Sequence, residues 1–191
     1  MCIRDRYWPD IWHDSTDISV VKAIRAFCDA NGAYLLVKSR KKTPIPPYTQ
    51  ELADKCLYDE QYYPATIFEA LSISSLSISF YSSAVIEAVS LGVPHLCVTF
   101  PSDDYCGNNE LARGRFERFY TAGEGSPFHF PGVTKAATIA EVITTLPQTK
   151  LDDFAIESSA RQRYLDKYAG PDDHRSSERL IETLIQAHHD R

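Results

Sequence analysis

Two serines, Ser82 and Ser83, stand at the head of an apolar helical run, with Glu87 one turn further on. A helix that starts at paired serines offers free backbone N–H groups, two hydroxyls and the positive end of its dipole. Those are the parts needed to hold a phosphate or a diphosphate. Ordinary N-capping uses the same residue type, and that alternative stays open. A second group is basic: Lys38 and Arg40, with Lys41 and Lys42, come directly after the short apolar run Tyr34–Val37. If that run is a strand, the basic residues lie beyond its carboxyl end, where open α/β sheets bind ligands. A solvated basic loop explains them equally well. In the third group Ser176 and Ser177 are flanked by Arg175 and Arg179, whose guanidinium forks suit phosphate. A plain N-cap is the alternative for Ser176. The chemistry shared by the three groups is recognition of a phosphorylated ligand.

The rest of the motif inventory is negative. The chain has no G-x-x-x-x-G-K-[ST], no G-x-G-x-x-G, no H-E-x-x-H and no D-x-D. Lack of D-x-D points away from a transferase that presents its diphosphate on a bound metal. It favours one that neutralises a leaving diphosphate with a helix end and basic side chains. We expect no metal and no cofactor, and no catalytic residue is singled out. Of the six histidines, His95 opens a strand and reads as structural, whereas His129 lies in a loop facing the expected cleft. The five cysteines are scattered and never C-x-x-C, so neither a disulfide framework nor a zinc site is suggested.

Positioning these residues requires strands and helices in alternation. Leu76–Phe80 is rich in β-formers, and Ala84–Leu91 is helical. Gly92 falls where a helix C′ residue belongs, Pro94 forbids continuation, and His95–Phe100 reads as a second strand. That is a βαβ unit with a right-handed connection, its two strands parallel and adjacent. Upstream, a helix capped at Asp14, Ser15 or Thr16 carries Ile18, Val21, Ile24, Phe27 and Cys28 and ends at Asn31-Gly32. Tyr34–Val37 reads as a buried strand, Tyr48–Lys55 as a short helix and Cys56–Tyr58 as a short strand. Pro64 suits the first turn of a helix that turns Ile67, Phe68 and Leu71 inward. Downstream come a loop at 101–105, a helix over Asn109–Arg118, a loop over Gly123–Gly132, and helices over Thr138–Leu146, Leu151–Tyr168 and Ser176–Ala187. The expected fold is α/β: a Rossmann-like parallel sheet flanked by helices.

The central stretch resembles the nucleotide-binding half of GT-B transferases, where a serine- or glycine-rich turn feeds a helix reading x-x-E-A-x-x-x-G-x-P. Tyr81-Ser82-Ser83 is similar to the D-Y-S-S signature of the CDP-glycerol glycerophosphotransferase family, which builds teichoic-acid-type polymers. Phe119-Tyr120, Phe128-His129-Phe130-Pro131-Gly132 and Thr138-Ile139-Ala140-Glu141-Val142 resemble that family's F-Y, P-G-P and T-x-x-E-L/V succession. Tyr164–Tyr168, Asp172-Asp173 and Ser176-Ser177-Glu178-Arg179 resemble its closing block. Phe80 stands where the family has an acid, His174-Arg175 replaces its Gly-Lys, and Lys38-Ser39-Arg40 takes the place of its K-x-H-P turn.

The resemblance implies the C-terminal, donor-binding lobe of a GT-B enzyme. In that role Ser82, Ser83, Lys38, Arg40, Arg175, Ser176, Ser177 and Arg179 hold the phosphates of a CDP-activated donor. Glu87 holds its ribose hydroxyls. The implied reaction moves glycerol phosphate, or a related polyol phosphate, to a cell-surface polymer and releases CMP. A sugar-nucleotide glycosyltransferase or epimerase-like enzyme, and a non-catalytic Rossmann-like interaction lobe, are the alternatives. The implied partners are the nucleotide-diphosphate donor and an N-terminal acceptor lobe, which would carry any peripheral membrane attachment. The implied location is cytoplasmic, at the inner face of the cell membrane.

Composition agrees with a globular chain: 191 residues, 43% hydrophobic and 24% charged. A net charge of −6 argues against a general nucleic-acid binder, whose footprint is basic. No run of about 18 apolar residues exists to span a membrane. Residues 1–13 read as a non-native or linker N-terminus, because Met1–Arg6 resembles a translated sequencing-adaptor remnant. On that reading the natural chain continues upstream, and residues 14–191 form the donor-binding lobe with its C-terminal helices.

Overall fold

The β-strand Ser77–Phe80, the helix Ala84–Ser90 and the strand His95–Thr99 form the centre of the molecule. The helix ends because Gly92 takes φ +75°, a conformation glycine adopts without strain, and Pro94 then blocks further helix. The Gly92 and Val93 N–H groups close the turn on the Val89 and Ala88 carbonyls. The two strands are parallel neighbours, with Ser77 opposite His95 and Phe80 opposite Val98. The expected βαβ unit is therefore present.

This computed structural model describes residues 2–4, 14–39, 45–57, 66–106, 109–120, 123–170 and 175–189. Its strands are β1 (Cys2–Arg4), β2 (Leu36–Ser39), β3 (Lys55–Leu57), β4 (Ser77–Phe80), β5 (His95–Thr99) and β6 (Thr134–Thr138). They form one sheet in the order β3–β2–β1–β4–β5–β6, and every pairing is parallel. This is the doubly wound Rossmann order, with its reversal between β1 and β4. Cys2–Arg4, within the stretch read as a non-native or linker terminus, sits at the middle of the sheet. Without it the sheet would separate into β2–β3 and β4–β5–β6.

The helices are α1 (Asp14–Ala30), α2 (Pro47–Leu52), α3 (Ile67–Ser72), α4 (Ala84–Ser90), α5 (Ser102–Cys106), α6 (Glu110–Phe119), α7 (Ile139–Thr144), α8 (Ser158–Tyr168) and α9 (Ser176–His189). On one side of the sheet α1 packs against α2 and α7; on the other α4 packs against α3 and α8. Side-chain alternation sorts the strands to match. Val37, Ile78, Phe80, Leu96 and Val98 join the cluster that holds Ile24 and Phe27 of α1. Leu36 joins Ala70, Leu71, Ala84 and Ala88 of α3 and α4 on the opposite face. Alanine at 84 and 88 lets the short helix lie close on the sheet.

After β6 the chain forms α7, whose N-terminus is a capping box between Thr138 and Glu141. Two 3₁₀ turns follow, Leu146–Gln148 and Leu151–Phe154, and Phe154 packs edge-on against Phe27. The chain then passes beside the start of β6, where the Glu157 N–H bonds the Gly132 carbonyl at 2.8 Å. Gly132 is required there: its φ is +76°, and a Cβ would meet the Ala160 methyl at 3.0 Å and the Glu157 carboxyl at 2.9 Å. On the far side Arg161 of α8 reaches the carboxyl end of α4. Its Nε donates to the Val89 carbonyl at 2.9 Å and its Nη2 to the Ser90 carbonyl at 2.6 Å.

Several expectations need correction. The strand expected at Tyr34–Val37 begins two residues later, so Lys38 and Ser39 belong to it, and Tyr34 is 85% exposed. Phe68 does not face inward; it is 44% exposed while Ala70 and Leu71 are buried. The loop expected at 101–105 contains the single helical turn α5. The one helix expected over Leu151–Tyr168 is two elements, because residues 155–157 are extended where the chain changes sides of the sheet. Strand β6 was not anticipated. Pro64 lies outside the described residues.

Candidate functional site

Strand β4 delivers Tyr81, Ser82 and Ser83 to the carboxyl edge of the sheet, next to the reversal between β1 and β4. Crevices at that point are where doubly wound sheets take ligands. Ser82 is half-buried, and its Oγ accepts the Ala84 N–H at 3.3 Å, a long capping bond. Ser83 is exposed, already helical at φ −60° and ψ −16°, and its hydroxyl makes no capping bond. The capping explanation thus accounts for Ser82 and leaves the Ser83 hydroxyl facing outward.

Glu87 is on the first turn of α4, half-buried. Burial raises its carboxyl pKa above the ordinary value. Its Oε2 is shielded from solvent and has no hydrogen-bond partner among the described residues. A carboxyl oxygen buried without a partner costs stability.

Tyr81 has a different task. It is buried, and its ring stands edge-on to Phe100 at 5.2 Å, Phe116 at 5.4 Å and Phe128 at 5.2 Å, with Tyr120 tilted at 5.8 Å. Burial pushes its phenol up to about 12, while the Phe100 backbone and the Thr99 hydroxyl bond it. This cluster ties the Ser82–Ser83 turn to α6 and to the 123–132 loop, so the turn rests on a packed aromatic base. In the sequence Tyr81 stands out only as part of the Tyr81-Ser82-Ser83 signature. Its bulk at a strand end was the available signal.

The loop itself is pinned from α8. Tyr164 Oη donates to the Pro127 carbonyl at 3.1 Å, Lys167 Nζ to the Gly125 carbonyl at 3.0 Å, and Tyr168 Oη to the same carbonyl. His129 is half-buried in this loop, its backbone N–H bonded to Ser126 Oγ at 3.1 Å.

The remaining expected site residues scatter. Lys38 is half-buried within β2, and its Nζ reaches the Ser39 carbonyl at 3.4 Å. It is level with Ser79, two strands or about 9.6 Å away across the sheet, and so three residues short of Ser82 in the strand direction. Ser39 is buried, so it presents no polar group to a cleft. Arg40 lies outside the described residues. Ser176, Ser177 and Arg179 lie in the first turn of α9 with Arg175 directly before it, all exposed except the half-buried Arg179. There Arg175 Nε donates to Glu178 at 2.7 Å and Arg179 Nη2 to Ser176 Oγ at 3.1 Å. Among the described residues α9 packs extensively against no other element, and these contacts do not bring the group to the turn.

His95 is fully buried between two serines of β4. Ser79 Oγ donates to the Phe80 carbonyl at 2.7 Å and therefore accepts from His95 Nε2 at 3.2 Å. That leaves Nδ1 to accept from Ser77 Oγ at 3.1 Å. Desolvation pushes the imidazole pKa down to about 3, so it is neutral and structural.

Among the described residues no group of three or more His, Cys, Asp and Glu side chains is placed to hold a metal. None of their helices is long and apolar enough to cross a membrane. No protein-family model matches the chain, and neither the curated proteins nor the solved structures compared with it give a match.

Proposed function

We propose that this lobe binds the nucleotide-diphosphate donor of a transferase, with the diphosphate at the Ser82–Ser83 turn and the ribose hydroxyls at Glu87. The observation that carries the proposal is positional: the turn lies at the carboxyl edge of β4, beside the point where the strand order reverses. The exposed Ser83 hydroxyl adds a donor for phosphate, and the half-buried Glu87 carboxyl lies one helical turn further on. Lys38, near the carboxyl end of β2, contributes positive charge.

Within that class we propose a CDP-activated polyol phosphate, glycerol phosphate first, as the donor, on the resemblance carried by Tyr81-Ser82-Ser83 and the downstream motifs. An acceptor hydroxyl attacks the β-phosphorus, the phosphoanhydride bond breaks, and CMP leaves with the electron pair. A sugar transferase would instead break the bond between the anomeric carbon and the β-phosphate oxygen and release a nucleoside diphosphate. By this account the protein works in the cytoplasm, at the inner face of the membrane where such polymers begin.

Calorimetry with CDP-glycerol, CTP and UDP-sugars on residues 1–191 tests the assignment. CDP-glycerol is expected to bind, and losing one charge-assisted hydrogen bond through Ser83→Ala should weaken it about tenfold or more. Preference for a UDP-sugar would move the reading to the glycosyltransferase alternative. Absence of binding by every nucleotide would leave the interaction lobe.

A further inference from the structure

The Ser82–Ser83 turn has two flanks, and helix α4 shows which residues stand on each. Ala84 and Ala88 belong to the cluster that holds Ala70 and Leu71 of α3. Val85 and Val89 belong to the cluster that holds Ala160, Tyr164 and Leu165 of α8. Glu87 is two positions from Val85 and two from Val89, so it lies roughly 160° around the helix from both. Its carboxyl is therefore carried on the flank away from α8. That is the side on which α3 packs against β2.

The other flank is aromatic. Tyr81 turns toward β5, where the Thr99 hydroxyl and the Phe100 backbone bond its phenol. Phe80 is opposite Val98, so Phe100 leaves the sheet level with Ser82. Of the five rings gathered there, Tyr81, Phe100, Phe116 and Phe128 are buried, whereas Tyr120 is 37% exposed. The Tyr120 N–H closes α6 on the Phe116 carbonyl at 2.7 Å. Its ring rests 5.4 Å from Phe116 and 5.8 Å from Tyr81. The cluster thus presents one open aromatic surface, backed by buried rings, on the β5 side of the turn. An aromatic side chain held in place beforehand offers contact area at little ordering cost.

We propose that Tyr120 is the contact for the group the donor transfers, the polyol attached to its β-phosphate. The inference rests on the donor reading above, with the diphosphate at Ser82–Ser83 and the ribose at Glu87. A donor laid across the turn in that way keeps its nucleoside on the Glu87 flank. The diphosphate stands between the nucleoside and the transferred group, so that group emerges on the opposite, β5 side, over the Tyr120 ring. The carbon backbone of a polyol carries apolar C–H surface, which an aromatic face covers while the hydroxyls stay in water. Tyr120 then discriminates between transferred groups without touching the nucleotide.

Calorimetry with CDP and with CDP-glycerol, on residues 1–191 and on the variants Tyr120→Ala and Tyr120→Phe, tests this. The quantity read is the ratio of the two dissociation constants, in which any general damage to the turn cancels. Tyr120→Ala is expected to weaken CDP-glycerol about threefold to tenfold relative to CDP, the loss of apolar contact with one or two carbons. Tyr120→Phe keeps the ring and should leave the ratio unchanged. A wild-type lobe that binds both ligands, with the same ratio in the alanine variant, would overturn the role of Tyr120 and leave the donor reading standing. A rise as large in the phenylalanine variant would also overturn it, by assigning the effect to the hydroxyl. Failure of the wild-type lobe to bind either ligand would remove the donor reading and this inference together.

Discussion

At the scale of single residues, the candidate site and the core use the same amino acids for opposite purposes. Ser77 and Ser79 are sealed in β4 as partners of His95, whereas Ser82 and Ser83, a few residues on, emerge at the sheet edge. The sequence does not separate these pairs, because the histidine that claims the first pair lies 16 and 18 residues away. Residue type made Ser83 and Glu87 visible as candidates; only the fold reveals that His95 is neutral and doubly bonded. A sharp consequence concerns acid. His95 has a folded pKa of about 3 against 6.5 for the free side chain. Below pH 6.5 the unfolded chain takes a proton that the folded chain refuses. The stability it contributes is therefore complete above pH 6.5 and is lost as pH falls toward 3, at about 1.4 kcal/mol per pH unit. Nitrogen NMR of His95 should show the neutral Nε2–H tautomer throughout pH 5–8, and chemical denaturation should lose its steepest acid slope in His95→Gln. A protonated His95 signal at pH 6 in the folded protein would contradict the buried network.

At the scale of elements, legibility followed local punctuation. The β4–α4–β5 unit could be read because Gly92 and Pro94 stop the helix whatever packs around it. The capping box at Thr138 and Glu141 announced α7 in the same way. Strand β6 escaped because Thr134–Thr138 has two alanines and a lysine where strand-forming residues are expected. It is a strand through pairing with β5, which is a long-range fact. Tyr34 misleads in the other direction, since its apolar type at a strand entrance suggests core while it is exposed. The break between the 3₁₀ turn Leu151–Phe154 and α8 follows from the need to change sides of the sheet at Glu157, which no local propensity encodes. α8 then holds α4 in place. Arg161 gives two charge-assisted bonds to the carboxyl-terminal carbonyls of α4, whose dipole favours a cation there. Arg161→Ala should cost about 1.5–3 kcal/mol, roughly 3–10 °C in Tm. Arg161→Lys, which cannot donate from two nitrogens, should restore only part of it. Differential scanning calorimetry decides; an unchanged Tm in the alanine variant would mean α4 is anchored by packing alone.

At the scale of the whole molecule, the described residues form a six-stranded parallel sheet that sets the Ser82–Ser83 turn at its carboxyl edge, beside the reversal of strand order. The aromatic base under Tyr81 and the α8 contacts to the 123–132 loop tie the Ser82–Ser83 turn to its surroundings without any ligand. Anchoring of that kind reduces the ordering cost of association. In the two-lobe reading the attacking group comes from elsewhere, and correct placement of two reactants is worth roughly 7–11 kcal/mol of a barrier. Residues 1–191 are accordingly expected to bind donor without transferring it. Release of CMP by this chain alone, followed with radiolabelled CDP-glycerol and a glycerol-phosphate acceptor, would contradict that division of labour. Amide chemical-shift mapping with CDP-glycerol tests the proposed nucleotide site directly. The largest shifts are expected at Ser82, Ser83, Ala84 and Glu87, with the amides of α9 unmoved. Shifts confined to other parts of the chain, or none at saturating nucleotide, would contradict it.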